Sequence, residues 1–244
     1  MTGLSAKILP AGDAALVVEL GSVIDAALND AVHRLDTAIN AAKPAGLIET
    51  VPTYRSILVL FDPVVAAAEE MGRACLDLAG ALDRGQGGAT ARRWRIPVAF
   101  GGAFGEDLPE IAAKSGLSET AVVALHCATE YRVYMLGFAP GFPYMGTLAP
   151  ALRLPRRENP RLAVPAGSVI QGGQQAAIMP LEMPSGWHIL GRTPVRLRDD
   201  RRKEPFLLAP GDLVRFEAVD AGELPALEAR AADGEDIARR EDAS

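Results

Sequence analysis

The chain is poor in the residues that build metal and disulfide centres: 244 residues hold two cysteines, Cys75 and Cys127, and three histidines. Two cysteines predict reduced thiols and no disulfide framework, and both read as small core residues. Without paired Cys or His spacing, no zinc or other metal site is expected. No apolar run reaches the roughly 18 residues that a membrane span needs. The opening MTGLSAKILPAGD has one lysine and no long apolar core, so no secretory signal is expected and the reading is cytoplasmic. Basic residues (25) are fewer than acidic ones (31), and the net charge of −6 gives neither nucleic acid nor an anionic membrane a reason to bind. The chain also lacks a GxxxxGK[ST] phosphate loop, a GxGxxG fingerprint and a GxSxG elbow.

Aromatic residues make up only 5% of the chain, yet five of them fall within Glu130 to Gly146, EYRVYMLGFAPGFPYMG. Tyr131, Val133 and Met135 alternate with Arg132, Tyr134 and Leu136, as in a strand. From Gly137 onward, Pro140, Gly141 and Pro143 exclude a helix or a central strand. The segment therefore predicts a strand feeding a stiff loop. Its rings either line a ligand site or plug one end of a barrel.

Taken in order, Ala6–Pro10 and Ala14–Leu20 read as strands around a Gly12-Asp13 turn. Ser22 is placed as the cap of a helix from Val23 to about Asn40. Leu47–Pro52 and Ser56–Phe61 are further strands, and Asp62-Pro63 is placed at the start of a second helix reaching about Leu82. The order β, β, α, β, β, α predicts an α+β unit over residues 1–88, with helices on one sheet face. Gly85 to Thr90 reads as a linker. A strand at Trp94–Phe100 follows, and Asp107-Leu-Pro-Glu110 has the form of a capping box. Ser118 caps a short helix to about Cys127. Short strands with Gly/Pro turns then predict a mainly-β closed barrel over 92–220, among them Ala176–Met179, Trp187–Leu190, Val195–Leu197 and Leu213–Phe216. Residues 221–244 form a tail, with a helix expected at Leu224–Ala231 and fraying from Asp233.

Few side chains offer chemistry. His126, near a helix end, reads either as an acid/base group or as a cap on that end. Gln174 and Gln175, beside Gly172 and Gly173, could present amides to a substrate or form a polar turn. Arg192, in Gly-Arg-Thr-Pro, could bind a carboxylate or phosphate or sit in a rim ion pair. Trp187 and His188 are neighbours on a strand and face opposite ways.

Taken together, GDAALVVELG (12–21), TYRSILVLFDP (53–63), ALHCATEYRVYMLGFAPGFPYMGTL (124–148), SGWHILGRTP (185–194) and PGDLVRF (210–216) resemble the allophanate hydrolase subunit 1 family, also called the carboxyltransferase domain C/D family. Its members include the B subunit of ATP-dependent 5-oxoprolinase and the Kip-type inhibitors of sporulation kinases. The resemblance implies a ferredoxin-like N-terminal domain and a cyclophilin-like C-terminal barrel. It implies a hydrolase component that is inactive alone, in a hetero-oligomer with a homologous subunit 2 (the C subunit) and with the lactam-utilisation protein that serves as the A subunit. ATP, as its magnesium complex, would act at the level of the assembly. The implied reaction opens a small cyclic amide, 5-oxoproline, to glutamate. Other readings are a sensor-kinase inhibitor, or a carboxyltransferase or amidohydrolase component acting on urea or allophanate. On this resemblance His126, Gln175 and Arg192 are the expected catalytic residues. Tyr131, Tyr134, Phe138, Pro140, Gly141, Phe142 and Trp187 are the expected substrate-binding wall. The chain departs from the family pattern at Ala176, Ala177 and Met179, which stand where Thr, Gly and Tyr are usual.

Overall fold

The computed structural model describes residues 6–82 and 91–241, in two compact units that divide between Thr90 and Ala91. The Gly85 to Thr90 linker lies outside the described residues.

In the first unit, β1 (Lys7–Pro10), β2 (Ala15–Glu19), β3 (Leu47–Pro52) and β4 (Ser56–Phe61) form an antiparallel sheet in the order β1-β2-β4-β3. Alternation decides its inner face: Leu16, Val18, Ile57, Val59 and Phe61 are buried, and the residues between them are not. Helices α1 (Ala26–Ala42) and α2 (Ala68–Ala81) supply Val32, Leu35, Ile39, Met71, Cys75 and Ala79 to that core. Burial raises the Cys75 thiol pKa to about 11, as suits an inert core thiol. Both helices start later than the sequence suggests. Asp25, not Ser22, caps α1, its carboxylate accepting from the Leu28 N–H at 2.9 Å. Val23 and Ile24 remain outside the helix and exposed; both are β-branched and fit a first turn poorly. Asp62 holds a local turn instead of a helix start, accepting from the Val64 N–H at 2.9 Å.

The second unit is a closed barrel. Its strands run β5 (Arg93–Phe100), β6 (Tyr131–Leu136), β7 (Pro143–Gly146), β9 (Ser168–Gly172), β10 (Gln175–Ile178), β12 (His188–Arg192) and β13 (Leu213–Ala218). The order β12-β9-β10-β7-β6-β13-β5 closes where Gly191 and Arg192 of β12 pair with Phe100 and Ala99 of β5. Closure removes the free edges that an open sheet must otherwise protect. The β5–β13 pair is parallel, which makes the barrel mixed. Helices α3 (Leu108–Ser115) and α4 (Glu119–Ala128) pack Ile111 and Val122 into the barrel core with Tyr131, Met145 and Phe216. A separate two-stranded sheet joins β8 (Arg161–Val164) to β11 (Met183–Ser185).

Three details differ from the sequence reading. A bulge between Val133 and Met135 breaks the alternation of β6, so that Leu136 and not Met135 packs on the core. Val195 and Leu197 are buried but lie outside the strands; the Val195 N–H goes to Thr193 Oγ1 at 3.2 Å, a local bond that replaces a ladder. The tail belongs to the barrel unit as far as Glu241. After α5 (Leu224–Ala232), β14 (Arg239–Glu241) pairs with β5, fixed by Arg95–Glu241 and Arg239–Glu217 ion pairs. No described helix is long and apolar enough to cross a membrane.

Candidate functional site

Aromatic rings from two segments, residues 138–144 and Trp187, meet beside the barrel. Phe142 contacts Tyr144 and Trp187 edge-on, with centroids 4.9 and 6.3 Å away, and Tyr144 and Trp187 are 6.3 Å apart. Phe138 meets Phe142 at 5.6 Å. The rings line an open cavity of about 370 Å³ with Arg156, Arg157, Pro160, Ser185 and Gly186. Phe142 and Trp187 are anchored in a small apolar core with Val164, Ile170, Met179 and Ile189, apart from that of the barrel. Burial raises the Tyr144 phenol pKa, with a smaller opposing pull from Arg156, so the ring stays a neutral wall at physiological pH.

Backbone geometry sets this wall. Phe138 lies in the left-handed region (φ 66°) yet is 70% exposed, so the loop turns its ring outward at the rim. A Cβ at Gly172 would fall 2.9 Å from the Trp187 ring, so only glycine lets the indole lie flat against β9. Gly172→Ala is therefore expected to displace Trp187, with a shifted indole emission and weaker binding in the cavity. Emission equal to that of the parent chain would sink this.

The two arginines of the cavity differ in the charge of their surroundings. Arg157 donates from Nη1 to Asp107 Oδ1 at 2.7 Å and lies 3.3 Å from Glu110 Oε2. Arg156 stands 5.9 Å over the Trp187 ring, and among the described residues it has no carboxylate partner. The cavity thus combines flat apolar walls with one uncommitted cation, a geometry suited to a small planar anion.

Asp107 organises the ground behind the cavity: it stands at the N-cap of α3, as the Asp-Leu-Pro-Glu pattern suggests, but its side chain makes no cap hydrogen bond and turns to other partners. Its carboxylate, 4% exposed, accepts from Arg157, from Arg161 Nη1 and Nη2 at 2.8 Å, and from the Ile189 N–H at 2.7 Å. Burial pushes its pKa up, but the Arg161 and Ile189 hydrogen bonds and the two guanidinium charges outweigh that and hold it low. Asp107, Glu110 and His188 bring ligand-type atoms within 4.8 Å of one another. The four bonds to Asp107 already fill its acceptor sites, and the arginines balance its charge, so the cluster reads as a support for Arg157 and not as a cation site. His188 donates from Nε2 to Pro155 O at 3.1 Å, which ties the Arg156 segment to β12.

The expected catalytic residues do not come together. His126 is 0% exposed, at the end of α4 inside the barrel. Gln171 Nε2 donates to Leu152 O at 2.9 Å, which turns Gln171 Oε1 toward His126 Nε2, also at 2.9 Å. The His126 proton therefore sits on Nε2, and Nδ1 accepts from the Tyr131 hydroxyl at 2.8 Å. Burial lowers the His126 pKa to about 4, against a smaller pull from Gln171, so the ring is neutral. Both nitrogens are used and the side chain is fully buried, which is the geometry of a core network. Arg192 lines a different cleft, 3.2 Å from Glu228. Gln175, half-buried at the start of β10 and paired with Gly146 and Gly172, lines neither cavity. Of the expected wall, Phe138, Phe142 and Trp187 line the aromatic cavity. Tyr131 lies in the barrel core, Tyr134 is buried under Arg132, and Pro140 and Gly141 border a shallower hollow with Phe206. Tyr144, Arg156 and Asp107 are site residues that the sequence reading misses; only an Arg-Arg pair ahead of Pro160 signals the first cation.

The profile of the family described as "Carboxyltransferase domain, subdomain C and D" matches residues 6–208. The chain belongs to this family. Within the carboxyltransferase C and D family, the 5-oxoprolinase B subunit of Escherichia coli O157:H7 is 41% identical over 208 residues, covering 84% of this chain and 92% of that protein. The protein of the same name from Bacillus subtilis (strain 168) is 34% identical over 219 residues, covering 84% of this chain and 89% of its own. The family fold recurs in the Kluyveromyces lactis urea carboxylase at 20% identity and a TM-score of 0.83, covering all of this chain and 24% of that one. At that identity the likeness extends to the fold alone.

Proposed function

We propose that this chain is the B subunit of an ATP-dependent 5-oxoprolinase, inactive by itself and completed by a homologous C subunit and by the lactam-utilisation A subunit. Two relatives of that name, over most of their length, support the reading. The observation that carries it to this chain is the aromatic cavity with Arg156 at its mouth. 5-Oxoproline is a five-membered lactam with a planar amide and a carboxylate on the neighbouring tetrahedral carbon. Its ring would lie against Trp187, Tyr144 and Phe142, and its carboxylate would meet the Arg156 guanidinium, which the Trp187 face also holds. Arg157, fixed by Asp107, would add a second positive charge from a rigid position. The rings would remove water from one face of the bound lactam and so strengthen both contacts. On this reading the chain binds and orients the lactam, while ATP chemistry belongs to the assembly. The two units are proposed to be the ferredoxin-like domain (1–88) and the cyclophilin-like barrel (92–220) of the family, and the complex to work in the cytoplasm.

The test is reconstitution of the three chains, assayed for ADP release that depends on 5-oxoproline. All three are expected to be required. Arg156→Gln and Trp187→Ala are each expected to raise KM for 5-oxoproline at least about tenfold, the cost of one charge-assisted hydrogen bond or one buried ring. A complete complex without release would overturn the 5-oxoprolinase reading. Release with an unchanged KM in both variants would move the substrate away from this cavity.

A further inference from the structure

A second cleft opens on the barrel where β12 ends. It encloses about 400 Å³, and its lining includes Gly167, Thr193, Arg192, Arg196, Arg198 and Glu228. Three arginines thus face one lining carboxylate. Arg198 is paired with Asp200 at 2.9 Å. Arg196 is exposed and has no carboxylate partner among the described residues. Arg192 makes one contact of 3.2 Å with Glu228 of α5, and its buried Nε has no hydrogen-bond partner. The frame is rigid. Gly167 (φ 78°) receives the Thr193 N–H on its carbonyl at 2.9 Å, and a Cβ at Gly167 would lie 2.4 Å from Thr193 O.

We propose that this cleft binds the phosphate groups of a phosphorylated small molecule of nucleoside-diphosphate size, with Glu228 holding the place of the anion when the cleft is empty. One segment, residues 192–198, brings three guanidiniums to the lining, and guanidinium forks are matched to phosphate oxygens. The volume exceeds what a lone carboxylate would fill. Both Arg192 (37% exposed) and Glu228 (39% exposed) are wet, and a single contact between them is weak enough for a phosphate to displace. The chain's acidic balance makes a local excess of cations a focused site and not a general basic face. The inference is independent of which amide the aromatic cavity takes.

The experiment is calorimetric titration of the full chain with inorganic phosphate and, separately, with ADP, at low and high NaCl. Saturable binding that weakens with salt is expected. Arg196→Gln and Arg198→Gln, both at exposed positions, are each expected to lower affinity about tenfold or more, with unchanged melting temperature. Glu228→Gln is expected to raise affinity several-fold, because it removes the competing carboxylate. ADP binding without phosphate binding would support the site and place contacts to the nucleoside in it. Phosphate binding alone would support it as a phosphate site only. No binding of either up to about 10 mM, a free energy too small for a built site, would overturn the proposal. So would affinities that neither arginine substitution changes. Lactam hydrolysis in the reconstituted complex reads the aromatic cavity separately, through Arg156→Gln.

Discussion

Asp107→Ala is expected to lower the stability of the barrel unit by about 3–5 kcal/mol, the cost of breaking a buried ion pair and leaving its partners behind. The side chain is 4% exposed, and Arg157 and Arg161 are 23% and 21% exposed, so water screens the loss poorly. Alanine would leave two guanidiniums facing each other and the Ile189 N–H without its acceptor. The same change frees Arg157 to move in the wall of the aromatic cavity, so substrate binding should weaken along with folding. The carboxyl is held low in the folded state and rises to its ordinary value when the chain unfolds. Its stabilisation is therefore complete above the unfolded pKa of about 4 and is lost as pH falls through the folded value. Urea unfolding of parent and variant, at neutral and acid pH, measures both effects. A loss under about 1 kcal/mol at neutral pH, the range of an exposed pair, would show that the network is not the support described here.

Acidification from pH 6.5 to 4 is expected to cost about 3 kcal/mol of stability through His126 alone. The sign follows from the folded pKa of about 4 against an ordinary value of 6.5. The folded ring stays neutral over most of this range and is half-protonated only at its acid end, while the unfolded ring takes up its proton near pH 6.5. Stability from His126 is thus present above pH 6.5 and disappears toward pH 4. Carboxylates also titrate near the acid end, so the reading is the difference in slope between the parent chain and His126→Gln. The variant should be less stable at neutral pH, because Gln171 and Tyr131 lose a shaped partner, yet it should lack this share of the slope. Equal slopes in the two proteins would mean that His126 is not held neutral by burial. A pH-dependent turnover assigned to His126 as a proton carrier would require solvent to reach a side chain that is 0% exposed.

Much of the framework was readable from local chemistry. Ser56–Phe61 alternates strictly and is β4 to the residue, because a half-buried strand has no other way to hide Ile57, Val59 and Phe61. Ser118 caps α4, accepting from the Ala121 N–H at 3.1 Å, as its place just ahead of the helix predicts. The aromatic run from Tyr131 to Tyr144 marked the most informative part of the chain, and its length and order carried the family. What each ring does was not readable. Tyr131 went to the core and Phe142 to the cavity because a bulge in β6 and a turn at Phe138 divide them, and both features come from pairing with β7 and not from composition.

The amino-acid sequence by itself determined most of the strands and the family, since those depend on periodicity, turn residues and long matching strings. Tertiary structure decided the site. Asp107 has the local form of a helix cap, but arginines 50 and 54 residues away offer a buried carboxylate more than a helix N-terminus does. His126 looks like a reactive histidine until the barrel closes around it and Gln171, 45 residues on, takes its proton bond. Trp187, Phe142 and Arg156 become neighbours only because β9, β10 and β12 fold the segments between them back on one another. Sequence spacing records which residues are near along the chain. A cavity is made by residues that only chain closure brings together.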